Sequence, residues 1–98
     1  MYKLVVQPLA FNDIQETVNY YDLISPQLAD VFLTELEQAK AHIIKMPESS
    51  SIRLKNIRVV FLKRFKFGVY FKIYPKLKII NILAVLHTSR NPTIWKKR

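Results

Sequence analysis

Near residue 50 the spacing of apolar side chains changes from roughly 3.6 residues to 2, and this change constrains the fold more than any other feature of the chain. Before it, Ala10, Ile14, Val18 and Tyr21 recur at the period of a helix with one buried face, which predicts a helix over residues 9–23. Asp13 and Glu16 are expected near its start, where the helix dipole favours acids. A second helix is expected to begin at Ser25-Pro26. The serine hydroxyl would cap it, and proline would take the first helical position, where a missing N–H is harmless. Leu28, Phe32, Leu36, Ala39, Ile43 and Met46 trace its apolar stripe, and Pro47 ends it. Residues 2–7 are short, β-branched and stopped by Pro8, as befits a first strand.

Beyond the polar connector at residues 48–51, the period of two predicts strands over 57–65, 67–74 and 78–86. Turns fall at Lys66 and Pro75-Lys76, and Lys55-Asn56 reads as an extended lead-in. The order is β-α-α-β-β-β. It predicts an α+β domain with a two-helix hairpin on one face of an antiparallel sheet. Strand parity then divides the side chains. Ile80, Ile82, Ala84 and Leu86 are expected to meet the helices, as are Phe67, Val69, Phe71 and Ile73. Arg58, Arg64, Tyr70, Lys72, Asn81 and His87 are expected on the open face, subject to any bulge that would flip the assignment.

With 98 residues, the chain is expected to be one domain spanning 1–98. Cysteine is absent, which excludes disulfides, iron–sulfur ligation and thiol catalysis. The N-terminus lacks the apolar core of a signal peptide, and the run at residues 79–86 is too short to span a bilayer, so a cytoplasmic protein without a membrane partner is expected. Charge is divided. All seven acids precede residue 50, whereas of the sixteen bases only Lys3, Lys40 and Lys45 do. The thirteen bases that follow, unopposed by any acid, predict an anionic partner: a phosphate backbone or an acidic protein segment.

The segment Lys63-Arg64-Phe65-Lys66-Phe67-Gly68-Val69-Tyr70-Phe71 resembles the basic-Arg-Phe-Pro-Tyr-x-x-Tyr-Tyr hairpin of RelE/ParE toxins. Residues 82–92, with His87, Arg90, Asn91 and Pro92, and then Trp95, resemble that family's apolar strand followed by His-x-x-Arg-Asp-Pro and a tryptophan. Ala10, Tyr20-Tyr21, Ser25, Ala29, Phe32 and Pro47 are similar to its two-helix hairpin. The resemblance implies the toxin of a bacterial type II toxin–antitoxin (plasmid stabilization) system, neutralised by a cognate antitoxin that wraps over helices or sheet, with a homodimer or a heterotetramer as the assembly. RelE-like members cut messenger RNA on the ribosome, and ParE-like members poison DNA gyrase.

Ribosome-dependent RNA cleavage would use His87 as acid or base, with Arg64 and Arg90 on the phosphate. Arg58, Lys63, Arg64, Lys72 and Arg90 would hold nucleic acid. Against it, no tyrosine follows Tyr74, the hairpin reads Arg-Phe-Lys-Phe, and Arg90-Asn91-Pro92 departs from Arg-Asp-Pro, so a gyrase-binding toxin and an inactive or orphan family member remain open beside it. His87 has a second reading too, as a strand-end residue that hydrogen-bonds the following turn. His42 reads as a boundary residue, Tyr20 and Tyr21 as helix packing, Trp95 as packing of the tail, and Lys96-Lys97-Arg98 as a solvated end. No metal site and no cofactor are expected from two distant histidines.

Overall fold

A computed structural model describes residues 1–89. The chain runs β1 (Lys3–Val6), α1 (Pro8–Ile24), α2 (Pro26–Lys45), a single 3-10 turn (Pro47–Ser49), β2 (Ser51–Leu54), β3 (Ile57–Phe61), β4 (Phe67–Tyr74) and β5 (Ile79–His87). The expected α+β class is what forms, with two additions. The serine-rich connector becomes a real edge strand, β2, because it pairs antiparallel with β3 through Ser51–Val59 and Ile52–Arg58. The sheet, in order β1-β5-β4-β3-β2, is also mixed: β1 lies parallel to β5, with Lys3 opposite Ile79 and Val6 opposite Ile82. The cause is connectivity. The helical pair returns the chain to the sheet end where β1 finished, so β2 runs against β1, and three further reversals bring β5 round to run with it.

Both helices begin at a proline, as position-one prolines should, but neither cap works through a side chain. Ser25 stands at the junction, yet its hydroxyl donates to Gln27 Oε1 at 2.9 Å; the Leu28 and Ala29 N–H groups are taken by the Ser25 carbonyl instead. The helix stripes meet the sheet as expected. Phe32, Leu36 and Ile43 of α2 and Ala10 of α1 are buried against Val69, Phe71, Ile80 and Ile82. At the centre Phe32 packs edge-on to Phe65 and Phe67, each centroid 5.4 Å away, and Tyr21 closes the group 5.1 Å from Phe65. Such contacts add about 0.5–1.5 kcal/mol per pair to what area burial alone supplies.

A bulge separates expectation from structure along β5. Tyr70 pairs with Ala84 but Phe71 with Ile82, so Leu83 is an extra residue. Ile80 and Ile82 face the helices as expected, whereas Ala84 and Leu86 face away, and Val85 takes the helix side. Ala84 and Leu86 join Val59 and Tyr70 in a second, smaller core on the opposite face. Parity in β3 is likewise reversed from expectation: Val60 pairs with Val69 and Arg58 with Phe71, which puts the Arg58 row on the helix side.

Candidate functional site

The bulge decides where the candidate residues go. Past Ile82 the outer edge of β5 is no longer covered by β1, and the Val85 N–H on that edge is met by Asp13 Oδ2 of α1 at 3.1 Å. Asp13, expected near the helix start for the sake of the dipole, lies one and a half turns into α1, beyond the first turn, and acts as a clamp on the strand edge. Val85 and His87, turned to the helix side, line a cleft of about 510 Å³ with Asp13, Glu16, Tyr20, Tyr21 and Phe67. Burial, and after it the neighbouring Tyr20, pushes the Tyr21 phenol above its ordinary value.

His87 packs edge-on against Phe67 at 5.3 Å. Its Nδ1 receives the Ser89 backbone N–H at 3.1 Å and lies 2.8 Å from Ser89 Oγ. An amide can only donate, so Nδ1 is the acceptor and the neutral ring carries its proton on Nε2. His87 thus holds the turn that follows its strand, and the open-face position expected for it is not the one it takes.

Arg64 also leaves the open face. Glu35, on the inner side of α2 and only 6% exposed, accepts the Arg64 backbone N–H at 2.9 Å through Oε1, and its Oε2 forms an ion pair with Arg64 Nε at 3.2 Å. The Arg64 side chain is 75% exposed, so solvent weakens the ionic part, and the backbone hydrogen bond is what satisfies the buried carboxylate. Arg58 donates through Nη1 to the Glu48 and Ser50 carbonyls at 3.1 and 2.7 Å, stitching β3 to the chain before β2. Lys63 is exposed and lines a separate cleft of about 460 Å³ with Glu35 and His42. Lys72, on the face away from the helices, sets its ammonium 5.2 Å from the Tyr74 ring centre. Arg90 lies outside the described residues.

The described cationic and acid–base candidates are thus not gathered in one place. Sequence reasoning also missed the two acids that organise this end of the molecule, Asp13 and Glu35. Glu35 had a visible signal, since it sits one residue before Leu36 on the stripe that also holds Phe32 and Ala39. An acid in a buried stripe announces a partner. Among the described residues no group of three metal-ligating side chains comes together, and no helix is long and apolar enough to cross a membrane.

A two-helix hairpin laid on one face of a five-stranded mixed sheet is the α+β architecture that the RelE/ParE resemblance implied. Residues 4–92 match the family described as the ParE toxin of type II toxin–antitoxin system, parDE, and the chain belongs to that family. Comparison with curated proteins gives no match. Among solved structures, a chain of the chromosomal ParDE TA system from P. aeruginosa superposes with a TM-score of 0.75 at 20% identity, over 89% of this chain and 96% of that one. That likeness is one of fold.

Proposed function

We propose that this protein arrests growth by binding DNA gyrase, that it does not itself cut RNA, and that a cognate antitoxin silences it. The observation that carries the reading is how the described groups an RNase would need are engaged: Arg58 and Lys72 stand away from the end of the sheet where Arg64 and His87 lie, and those two have partners of their own. Arg64 is engaged with Glu35 and Arg58 with two carbonyls, Lys72 lies on the opposite face, and His87 has one ring nitrogen occupied. The cleft beside His87 holds the carboxylates of Asp13 and Glu16, which repel a phosphodiester. Membership of the ParE family supports the same choice. Leu9 and Phe11 at the start of α1 and Leu23 and Ile24 at its end are exposed apolar side chains, which supports an antitoxin lying along the helical pair.

The test is induction in cells without the antitoxin, following growth, plasmid topology and messenger RNA ends. Expected are growth arrest, altered supercoiling with no new message ends, and undiminished toxicity of His87→Ala. New message ends that disappear in His87→Ala would overturn the gyrase reading in favour of ribosome-dependent cleavage. Co-expression of the protein encoded beside the toxin should restore growth.

A further inference from the structure

The end of the sheet opposite Arg64 and His87 has a character of its own. The β2–β3 turn, the β4–β5 turn and the start of β1 meet there, because Ile57 pairs with Lys72, Tyr74 with Ile79, and Ile79 with Lys3. This brings five lysines, Lys3, Lys55, Lys72, Lys76 and Lys78, to one rim of a sheet whose five strands span about 19 Å at ~4.8 Å per gap. Among the described residues the ion pairs are Lys40–Glu37 and Arg64–Glu35, so none of the five is neutralised by a carboxylate. The nearest acid, Glu48, shares a groove with Lys55 on the helix side.

A second, independent feature marks the same rim. Lys55 and Lys78 have φ of 50° and 56°, and they are the only non-glycine residues with positive φ among those described. Glycine adopts that left-handed backbone without steric cost, whereas a lysine there is strained. Both lie in the tight β2–β3 and β4–β5 turns, which impose a left-handed backbone, and the paired strands on either side hold the strain in place.

We propose that this lysine rim binds the phosphate backbone of duplex DNA. A duplex carries about one charge per 1.7 Å of axis, a regular array of anions for lysines that stand along the rim on both sides of the sheet, Lys72 away from the helices and Lys55 towards them. Single strands are held largely by stacking on bare aromatic rings, and here the two rings at the rim are already taken: the Lys72 ammonium lies 5.2 Å from the centre of Tyr74 and that of Lys78 5.3 Å from the centre of Tyr2. Protein interfaces centre on an apolar cluster, and the exposed large apolar side chains at this rim are single ones, Leu77 in the β4–β5 turn and Met1 before β1. The inference draws its cellular meaning from the gyrase reading, since gyrase holds duplex DNA. Its test contains no gyrase, so the two fail separately.

Purified full-length protein is titrated into a fluorescent 20-base-pair duplex across a range of salt, and binding is read by anisotropy. The double variant Lys55→Gly, Lys78→Gly removes two cations while supplying the residue the backbone prefers, so its melting temperature should hold. Binding at about 0.1 M salt should weaken on the order of 50-fold, and the slope of log affinity against log salt should fall by about 1.8, at ~0.9 for each phosphate no longer neutralised. Lys40→Gln, Lys45→Gln, which lowers net charge equally on α2, should weaken binding only a few-fold. Lys72→Gln, a single change within the sheet, should reduce the slope by about half as much as the glycine pair. Equal losses for the two double variants, or no loss for the glycine pair, would overturn the proposal. So would tighter binding to a single strand of the same length, or displacement of the duplex by polyglutamate at equal charge, the latter pointing to an acidic protein instead.

Discussion

The helix-covered face of the sheet buries Phe67, Val69, Phe71, Ile80, Ile82 and Val85 beneath Phe32, Leu36 and Ile43, whereas the opposite face buries Val59, Tyr70, Ala84 and Leu86 without a described helix above them. The first is a large aromatic core that two amphipathic helices must close. The second is a thin strip created where the bulge at Leu83 turns Ala84 and Leu86 outward. One strand therefore serves both cores, and past its bulge, where β1 has ended, Asp13 clamps the edge. The fold is thus held from one side and merely sealed on the other.

Phe32→Ala should upset this asymmetry most severely. Phe32 is fully buried and touches Tyr21, Phe65 and Phe67, so truncation costs about 3–5 kcal/mol and should leave little folded protein in a urea titration. Glu35→Ala comes next, because it leaves the Arg64 N–H without its acceptor. The loss of that charged hydrogen bond costs roughly 1.5–3 kcal/mol, and chemical denaturation of Glu35→Gln, which keeps an acceptor, should show a smaller effect. Equal losses for the two substitutions would mean that the charge, not the hydrogen bond, matters at this site.

Gly68→Ala tests the thin strip itself. An added Cβ would lie 3.0 Å from Val59 Cγ2 and 3.2 Å from the Tyr70 ring, which covers the glycine and is itself 4% exposed. The methyl cannot be accommodated unless the strip shifts. A destabilisation of about 1–2 kcal/mol is expected in a thermal or urea melt, smaller than on the helix side because only the sealing face must move. A neutral or stabilising result would mean that the strip is loosely packed.

Much of this was legible in the sequence, and the part that was not has a physical cause. Both helices, the proline that opens α2, the stripe from Leu28 to Ile43 and the core side of β4 followed from apolar spacing and proline placement, whereas Pro8, read as the end of the first strand, also opens α1. In β5 both faces are apolar, so alternation carries no sign, and one extra residue at Leu83 inverted everything after it. In the strand expected over 57–65, of which β3 forms only Ile57–Phe61, the arginines at 58 and 64 suggested a solvent face, yet one reaches a pair of carbonyls and the other Glu35. The proposed DNA rim was hidden for a different reason. Its lysines are scattered from residue 3 to residue 78, and only strand order brings them together.

The smallest effect expected is on the alkaline limb of stability, and it belongs to the helix side alone. The Tyr21 phenol is raised by burial and by Tyr20, so the folded chain holds its proton more tightly than the unfolded chain, whose value is 10.0. Its contribution is present in full below pH 10.0 and is lost as pH rises from there through the higher folded value, because the unfolded state ionises first. Tyr21→Phe, which retains the ring against Phe32 and Phe65, should leave stability near neutrality almost unchanged and flatten that alkaline decline. Tyr20→Phe removes only the secondary cause and should flatten it less. An alkaline decline of identical slope in the parent and in Tyr21→Phe would show that the cleft is wetter than its burial implies, and that α1 seats on the sheet less firmly than α2.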